Sequence, residues 1–372
     1  MARVLAITAL VALPALPTAC ATTTTTAATT TPSSGESAPP VKAWSGTLID
    51  RRTGVVLWQK DGSRRLPPAS CTKIMTALVV LEHVKHLDRY VRVPGIPLPQ
   101  KVGVNLRPGD RISVGQALRA LMVKSANDAA LTLASHVGGS ERGFVALMNA
   151  RAASLGLHDT HFVNCRGTYA PGHYSSAADL AALARYAMRD PRFRALVRIR
   201  RTVIVYPPKH AVPVESHNRL LDYPWGTGIK TGATSASKMV LVGSGQPGLV
   251  PLIVVTMHEP SRNREERDAV ALFKWGSSLY GRRTLATAGE QLAAVPIDAG
   301  GETALVASTS LRAVLRKAAP VKESFSLPTS LPSLPPPGTA VGSVAFYSDG
   351  LKLGAVTLVA RDAADHSSSP SR

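Results

Sequence analysis

Residues 67–81 read PPASCTKIMTALVVL, and the helix they specify decides the fold. From Ser70 to Leu81 the stretch is apolar on nearly every side, most evenly over Ile74–Leu81. A helix that is apolar all round lies buried at the centre of a domain. Pro67 and Pro68 mark a sharp approach, which puts Ser70 at or near the first turn. Ser70 and Lys73 then stand one turn apart on one face, where an amine can reach a hydroxyl. The free N–H groups and the dipole of a helix start also favour developing negative charge. Acyl transfer through a serine needs that pairing of nucleophile and base.

Two more motifs follow in order: Ser125-Ala126-Asn127, and Lys230-Thr231-Gly232 with Ala233 next. They can supply a second proton carrier, an orienting amide and a cationic clamp for a carboxylate. Each pattern is weak alone. A second SxxK stands at Ser235–Lys238, and further SxN copies stand at Ser216–Asn218 and Ser261–Asn263; KTG occurs once. Context separates them. Ser235 and Lys238 sit in and after a strand-like segment, Ser216 is too close to Lys230 to form an opposing wall, and Ser261 follows KTG. Cys71 neighbours Ser70, but on a helix it points about 100° away and has no evident base. It reads as a buried thiol that fills the core.

Composition bounds the setting. The chain has 372 residues, a length that suggests two folded units, and 45% hydrophobic content, ample for a core. Residues 1–20 read as an export signal: Arg3, an apolar run from Val4 to Leu16 broken by Pro14, then small residues. The exit leaves two readings open. Ala19-Cys20-Ala21 has the form of a simple cleavage site, while Thr18-Ala19-Cys20 has the end of a lipobox that would lipidate Cys20. Cys71 and Cys165 are the other cysteines. Export permits a disulfide between them, but they form no framework, and without CxxC there is no metal signature. The net charge of +19 suits attraction to anionic cell-wall polymers. Nucleic acid is disfavoured by export and by the lack of basic runs interleaved with aromatics. No cofactor is expected.

Residues 21–42 form a Thr/Ala/Ser/Pro-rich tether that cannot bury enough apolar surface to fold. Ser45–Asp50 and Gly54–Trp58 suggest a hairpin. Leu118–Val137 and Asp179–Met188 predict helices, the latter capped by Ser175 or Ser176. Lys238–Gly243 and Val250–Met257 predict buried strands, and Asp268–Tyr280 a closing helix. Near Gly281 the texture turns to short strands, among them Thr303–Ala307, Leu311–Arg316, Val341–Tyr347 and Ala355–Ala360, with a Pro-rich crossover at Leu327–Pro337. The expected division is a catalytic domain at 43–282, a small all-β, sandwich-like domain at 283–361 and a disordered tail at 362–372.

At these residues the chain resembles the serine-type D-alanyl-D-alanine carboxypeptidases, the low-molecular-weight penicillin-binding proteins. Pro68–Ala77 resembles their PAS-x-TK-x-MTA segment, and Ser125–Ala129 their S-x-NDA. Gly172–Asp179 is similar to GHYSTA-x-D, and Gly228–Thr234 to GIKTG-x-T. The chain departs at Asn164-Cys165-Arg166-Gly167, where Asn-Pro is usual, and at Ser237-Lys238, where Ala-Gly is usual. It also lacks the C-terminal membrane anchor of some relatives.

The resemblance implies an α/β (α+β) penicillin-recognising serine transferase/β-lactamase-like fold. It implies removal of the terminal D-alanine from peptidoglycan stem pentapeptides, with β-lactams as covalent inhibitors. The roles it implies are Ser70 as nucleophile, Lys73 as proton acceptor, Ser125 as proton relay and Asn127 as orienting group. Lys230, Thr231 and Gly232 would bind substrate, and the N–H groups of Ser70 and Ala233 would form the oxyanion hole. Two rivals remain. A class A β-lactamase needs a glutamate to hydrolyse its acyl-enzyme, and no glutamate lies between Glu141 and Glu215. An inert wall-binding relative would have no reason to keep every catalytic side chain.

Overall fold

The structure, a computed structural model, describes residues 37–96 and 102–361. The export signal, most of the tether and the tail from 362 lie outside the described residues.

Strands β1 (Ser45–Asp50) and β2 (Val56–Lys60) form the expected antiparallel hairpin. A single 3-10 turn, Ala69–Thr72, runs into helix α1 (Lys73–His83). A short ribbon of β3 (Tyr90–Arg92) and β4 (Arg111–Ser113) follows. Next come α2 (Val114–Arg119), a π-turn at Ala120–Lys124, α3 (Asn127–Gly138) and α4 (Glu141–Ser154). Helices α5 (Ala177–Ala187) and α6 (Pro191–Val197) precede a second ribbon, β5 (Arg201–Tyr206) with β6 (His210–Glu215). Strands β7 (Gly226–Thr234), β8 (Lys238–Gly245) and β9 (Leu252–Glu259) and helix α7 (Arg262–Ser278) complete this part.

The main sheet has the order β2-β1-β9-β8-β7, with every neighbouring pair antiparallel. Helices cover both of its faces, which is why β9 reads as a continuous apolar run rather than an alternating one. Leu252 and Val254 pack with Ala269, Leu272 and Phe273 of α7. Ile253, Val255 and Met257 point the other way, into the larger core with α1, α3 and α5. Every residue of α1 from Lys73 to Leu81 is buried, as an all-round apolar helix requires. Helix α5 begins two residues before Asp179, and its cap is one of the two expected serines, with the Ser176 side chain accepting from Asp179 N–H. Helix α7 begins six residues earlier than expected, because Ser261 caps it.

One expected element is wrong. The helix expected over Leu118–Val137 is broken: the π-turn ends at Ser125, which is left-handed at φ 64°, ψ 32°, and α3 restarts at Asn127. Local composition, rich in Ala and Leu, gave no sign of the break.

Strands β10 (Tyr280–Ala286), β11 (Gln291–Pro296), β12 (Glu302–Ala307), β13 (Leu311–Arg316), β14 (Lys322–Ser326), β15 (Ala340–Ser348) and β16 (Leu351–Ala360) make up the C-terminal part. They form a five-stranded sheet, β11-β12-β16-β15-β14, and the pair β10-β13. Leu305, Val344, Phe346, Val356 and Leu358 fill a core of their own. Strand β10 opens with Tyr280, whose hydroxyl donates to the buried Asp50 Oδ2 of β1 at 2.8 Å.

Candidate active site

The turn Ala69–Thr72 presents Ser70 at the head of α1, with Ala69 in a left-handed conformation at φ 47°. Lys73 is completely buried. Its Nζ lies 3.2 Å from Ser70 Oγ and donates to Asn127 Oδ1 at 2.8 Å and to the Arg166 carbonyl at 2.5 Å. A neutral lysine amine has two N–H donors and one lone pair; Asn127 Oδ1 and the Arg166 carbonyl take the two donors, which leaves the lone pair for the Ser70 hydroxyl. Burial holds the Lys73 amine well below the usual lysine range, and the charges of Lys230 and Arg166 push the same way. It is therefore available as a neutral base beside the hydroxyl.

The break before α3 changes what Ser125 and Asn127 can face. Residues two apart on one helix point to different sides, so Ser125 and Asn127 could not share a cleft on a continuous helix. The left-handed residue between π-turn and α3 removes that restriction. Asn127 reaches Lys73 as above. Ser125 is 7% exposed, and its hydroxyl has no hydrogen-bond partner within the described residues.

The KTG segment lies on β7, the edge strand of the main sheet. Strand β7 and the Ser70 turn are in close contact: a Cβ added at Gly232 would stand 2.8 Å from Ser70 N. Glycine is required for that approach. Lys230 is 4% exposed and donates to the Thr231 carbonyl at 2.8 Å. Burial lowers its pKa to about 8, with Arg262 adding to the effect and the neighbouring Cys71 and Glu265 opposing it. It still carries its charge at neutral pH.

Cys71 points at the sheet, with Sγ 3.5 Å from the Lys230 carbonyl and 3.7 Å from that of Val240. Burial pushes its thiol up to about 12. Cys71 and Cys165 are both free and buried.

The competing motif copies are structural. Of the second SxxK, Ser235 and Lys238 are both exposed at the β7–β8 turn, which Ser237 Oγ fastens by accepting from Thr234 N–H. Asn218 Oδ1 accepts from Leu220 N–H to cap a 3-10 turn, and Ser261 caps α7.

Sequence reasoning missed several supports. His173 is buried, with Nδ1 accepting from Val163 N–H at 3.0 Å and Nε2 2.8 Å from Thr72 Oγ1. Burial lowers its pKa to about 4, so it is neutral. Its proton then sits on Nε2 and is donated to Thr72. The Gly172–Asp179 segment thus fastens the nucleophile turn. Gly167 packs against the same turn, where an added Cβ would meet the Ala69 carbonyl at 1.9 Å. A cavity of about 500 Å³ is lined by Lys124, Arg200, His217, Arg219 and Arg262 among others. The charges of Arg262, Lys230 and Lys124 help to lower the His217 pKa, after burial. Among the described residues no cluster of His, Cys, Asp or Glu could hold a metal. No helix there is long and apolar enough to cross a membrane.

The family described as D-alanyl-D-alanine carboxypeptidase (peptidase S11) matches residues 32–261. The D-alanyl-D-alanine carboxypeptidase DacF of Bacillus subtilis is 30% identical over 72% of this chain and 71% of its own. Penicillin-binding protein 5 of Haemophilus influenzae superposes with a TM-score of 0.65 at 26% identity, covering 88% of this chain and 99% of its own. The DD-transpeptidase of Streptomyces K15 does so with a TM-score of 0.61 at 30% identity, covering 66% and 100%. These neighbours share the penicillin-recognising fold. The chain belongs to the D-alanyl-D-alanine carboxypeptidase family of serine peptidases.

Proposed function

We propose that this enzyme removes the terminal D-alanine of stem pentapeptides through an acyl-enzyme on Ser70. Acylation by a serine and inhibition by β-lactams are typical of its family. The observation that carries the assignment to Ser70 is the buried Lys73 amine, held 3.2 Å from Ser70 Oγ by two further acceptors.

As Ser70 Oγ attacks the carbonyl of the penultimate D-alanine, its proton passes to neutral Lys73. The N–H groups of Ser70 and Ala233 receive the developing oxyanion. Lys230 and Thr231 hold the terminal carboxylate. The unpartnered Ser125 hydroxyl passes the proton from Lys73 to the departing amine of the terminal D-alanine, and water later attacks the ester by the reverse route. Asn127 keeps Lys73 aimed throughout.

β-Lactams acylate Ser70 in the same way and leave slowly. Glu141, which borders the stretch without glutamates, accepts from Cys165 N–H and pairs with Arg166. It is not free to activate a water. Labelling with a fluorescent penicillin tests the reading. A stable label that is lost in Ser70→Ala supports it; rapid loss of label means a lactamase, and no label an inert scaffold.

We further infer an extracytoplasmic enzyme, lipidated at Cys20 and drawn to anionic wall polymers by its net charge of +19. Cys20→Ala should move it from the membrane to the soluble fraction. The catalytic domain and the β-rich domain that begins near residue 283 form separate folding units in this reading.

A further inference from the structure

We propose that Glu141 is a positioning residue for Lys73, acting through the loop 164–168; the inference rests on Lys73 being the proton acceptor. That loop is held from two sides. From within, Asn164 Oδ1 accepts from the N–H groups of Arg166 at 3.1 Å, Gly167 at 2.7 Å and Thr168 at 3.2 Å. From α4, Glu141 Oε1 accepts from Cys165 N–H at 3.1 Å and from Arg166 Nε at 3.2 Å, and Oε2 accepts from Arg166 Nη2 at 3.4 Å. The Cys165 thiol donates to the same Oε1 at 3.3 Å. The Thr76 hydroxyl of α1 donates to the Cys165 carbonyl at 2.7 Å.

What this bracing delivers is the Arg166 carbonyl, the shortest of the three contacts that locate Lys73 Nζ. The loop has no slack toward the nucleophile either, given the contact of Gly167 with the Ala69 carbonyl. A displaced loop therefore moves the acceptor of Lys73 and the turn that carries Ser70 together.

Glu141 also balances a charge. The groups that face Lys73 are Lys230 on β7, Arg166 on the loop, and the thiols of Cys71 and Cys165. Burial raises both thiol pKa values, so the thiols are neutral. Two cations thus act on the amine, and Glu141 is paired with one of them. Without that carboxylate the Arg166 charge is unopposed, and Lys73 loses its proton at still lower pH.

The test uses Glu141→Gln alone and combined with Arg166→Met. It measures kcat and KM for D-alanine release, counts active sites by covalent benzylpenicillin label, and follows the acidic limb of kcat/KM. In Glu141→Gln, kcat per labelled site should fall about tenfold, KM should stay within about twofold, and the acidic limb should move to lower pH. Adding Arg166→Met should return the limb toward wild type while kcat stays low. Wild-type kcat per site with an unmoved limb overturns the proposal even if thermal stability falls, and so does a rise in KM alone. If Glu141→Gln does not fold, Glu141→Asp is measured instead. It keeps the charge with a shorter reach, so kcat should fall with the limb unmoved; unchanged kcat overturns the proposal. Lys73→Ala run in parallel keeps the two questions apart. An active Lys73→Ala removes the base assignment itself, whereas an inactive one beside a wild-type Glu141→Gln removes only the role of Glu141.

Discussion

Gly232→Ala isolates the contact between the substrate strand and the nucleophile turn. The new Cβ would lie 2.8 Å from Ser70 N, 2.9 Å from Ala69 Cβ and 3.1 Å from the Pro68 carbonyl. Two of these are backbone atoms, which cannot swing aside as a side-chain end can. Ordinary contact begins near 3.4 Å, so β7 and the turn must part by about 0.6 Å in a close-packed interior. The two proposed oxyanion donors sit on the two parts being pushed apart. Catalytic groups must hold their places within about 0.5 Å, and a misplacement of 1 Å can cost about 10²-fold. The expected loss is therefore about 10- to 100-fold in the second-order rate of benzylpenicillin acylation. A similar fall in kcat/KM for D-alanine release should accompany it, with the fold kept. The matched control is Gly281→Ala, whose Cβ would meet nothing closer than Lys317 Cγ at 3.4 Å; it should react as wild type. Acylation of Gly232→Ala within about twofold of wild type, in protein of normal thermal stability, would show that oxyanion binding does not depend on this approach.

Three further outcomes are expected. Lys73→Ala should slow acylation by at least about 10²–10⁴-fold, read from the time course of penicillin labelling, while KM changes little. For the pH profile, the proposed hold of Lys230 on the substrate carboxylate needs its charge, and its pKa is lowered to about 8. Substrate binding should therefore be intact below pH 8 and weaken as pH rises through it. An alkaline limb of kcat/KM near the ordinary lysine value of about 10.4 would contradict the burial argument. A chain ending at Leu279 should keep penicillin acylation, because all the site residues precede it and β10 pairs with β13 rather than with the main sheet. Its stability should drop by about 1.5–3 kcal/mol, since the buried Tyr280 ring leaves the core it shares with Leu48 and Trp275 and its hydroxyl no longer donates to Asp50. Failure of that folded chain to acylate would place the β-rich part in the active site.

What could be read from the sequence was the part that depends on short-range chemistry. Ser70 and Lys73 are one turn apart, so their pairing is fixed by local geometry, and the all-apolar run behind them had to be buried. The continuous apolar reading of β9 likewise needs only the rule that a strand covered on both faces does not alternate. The break at Ser125 was invisible for the opposite reason. A left-handed serine has no favourable propensity, and Ala and Leu on both sides argue for continuation. The conformation is imposed by what the tertiary structure asks of Ser125 and Asn127 together. Local strain of this kind gathers at sites where surrounding packing over-determines the backbone.

The same reasoning explains why the contacts of Glu141, Arg166 and His173 could not be read from the sequence, whereas the three motifs were legible as patterns. Each acts through a backbone group or a turn that is distant in sequence: Glu141 through Cys165 and Arg166, and His173 through Thr72. No spacing rule links residues 24 or 101 positions apart. Yet a chain with the three motifs alone would carry Ser70 and Lys73 on a turn free to shift, and catalysis tolerates little shift. The Asn164–Gly167 departure from the family pattern falls on one of these supports. Here a charged residue takes the position whose carbonyl holds Lys73, and its guanidinium is paired with Glu141. In the proposed mechanism, variation at this loop therefore acts on the base itself, through position and charge, rather than on the shape of the substrate pocket alone.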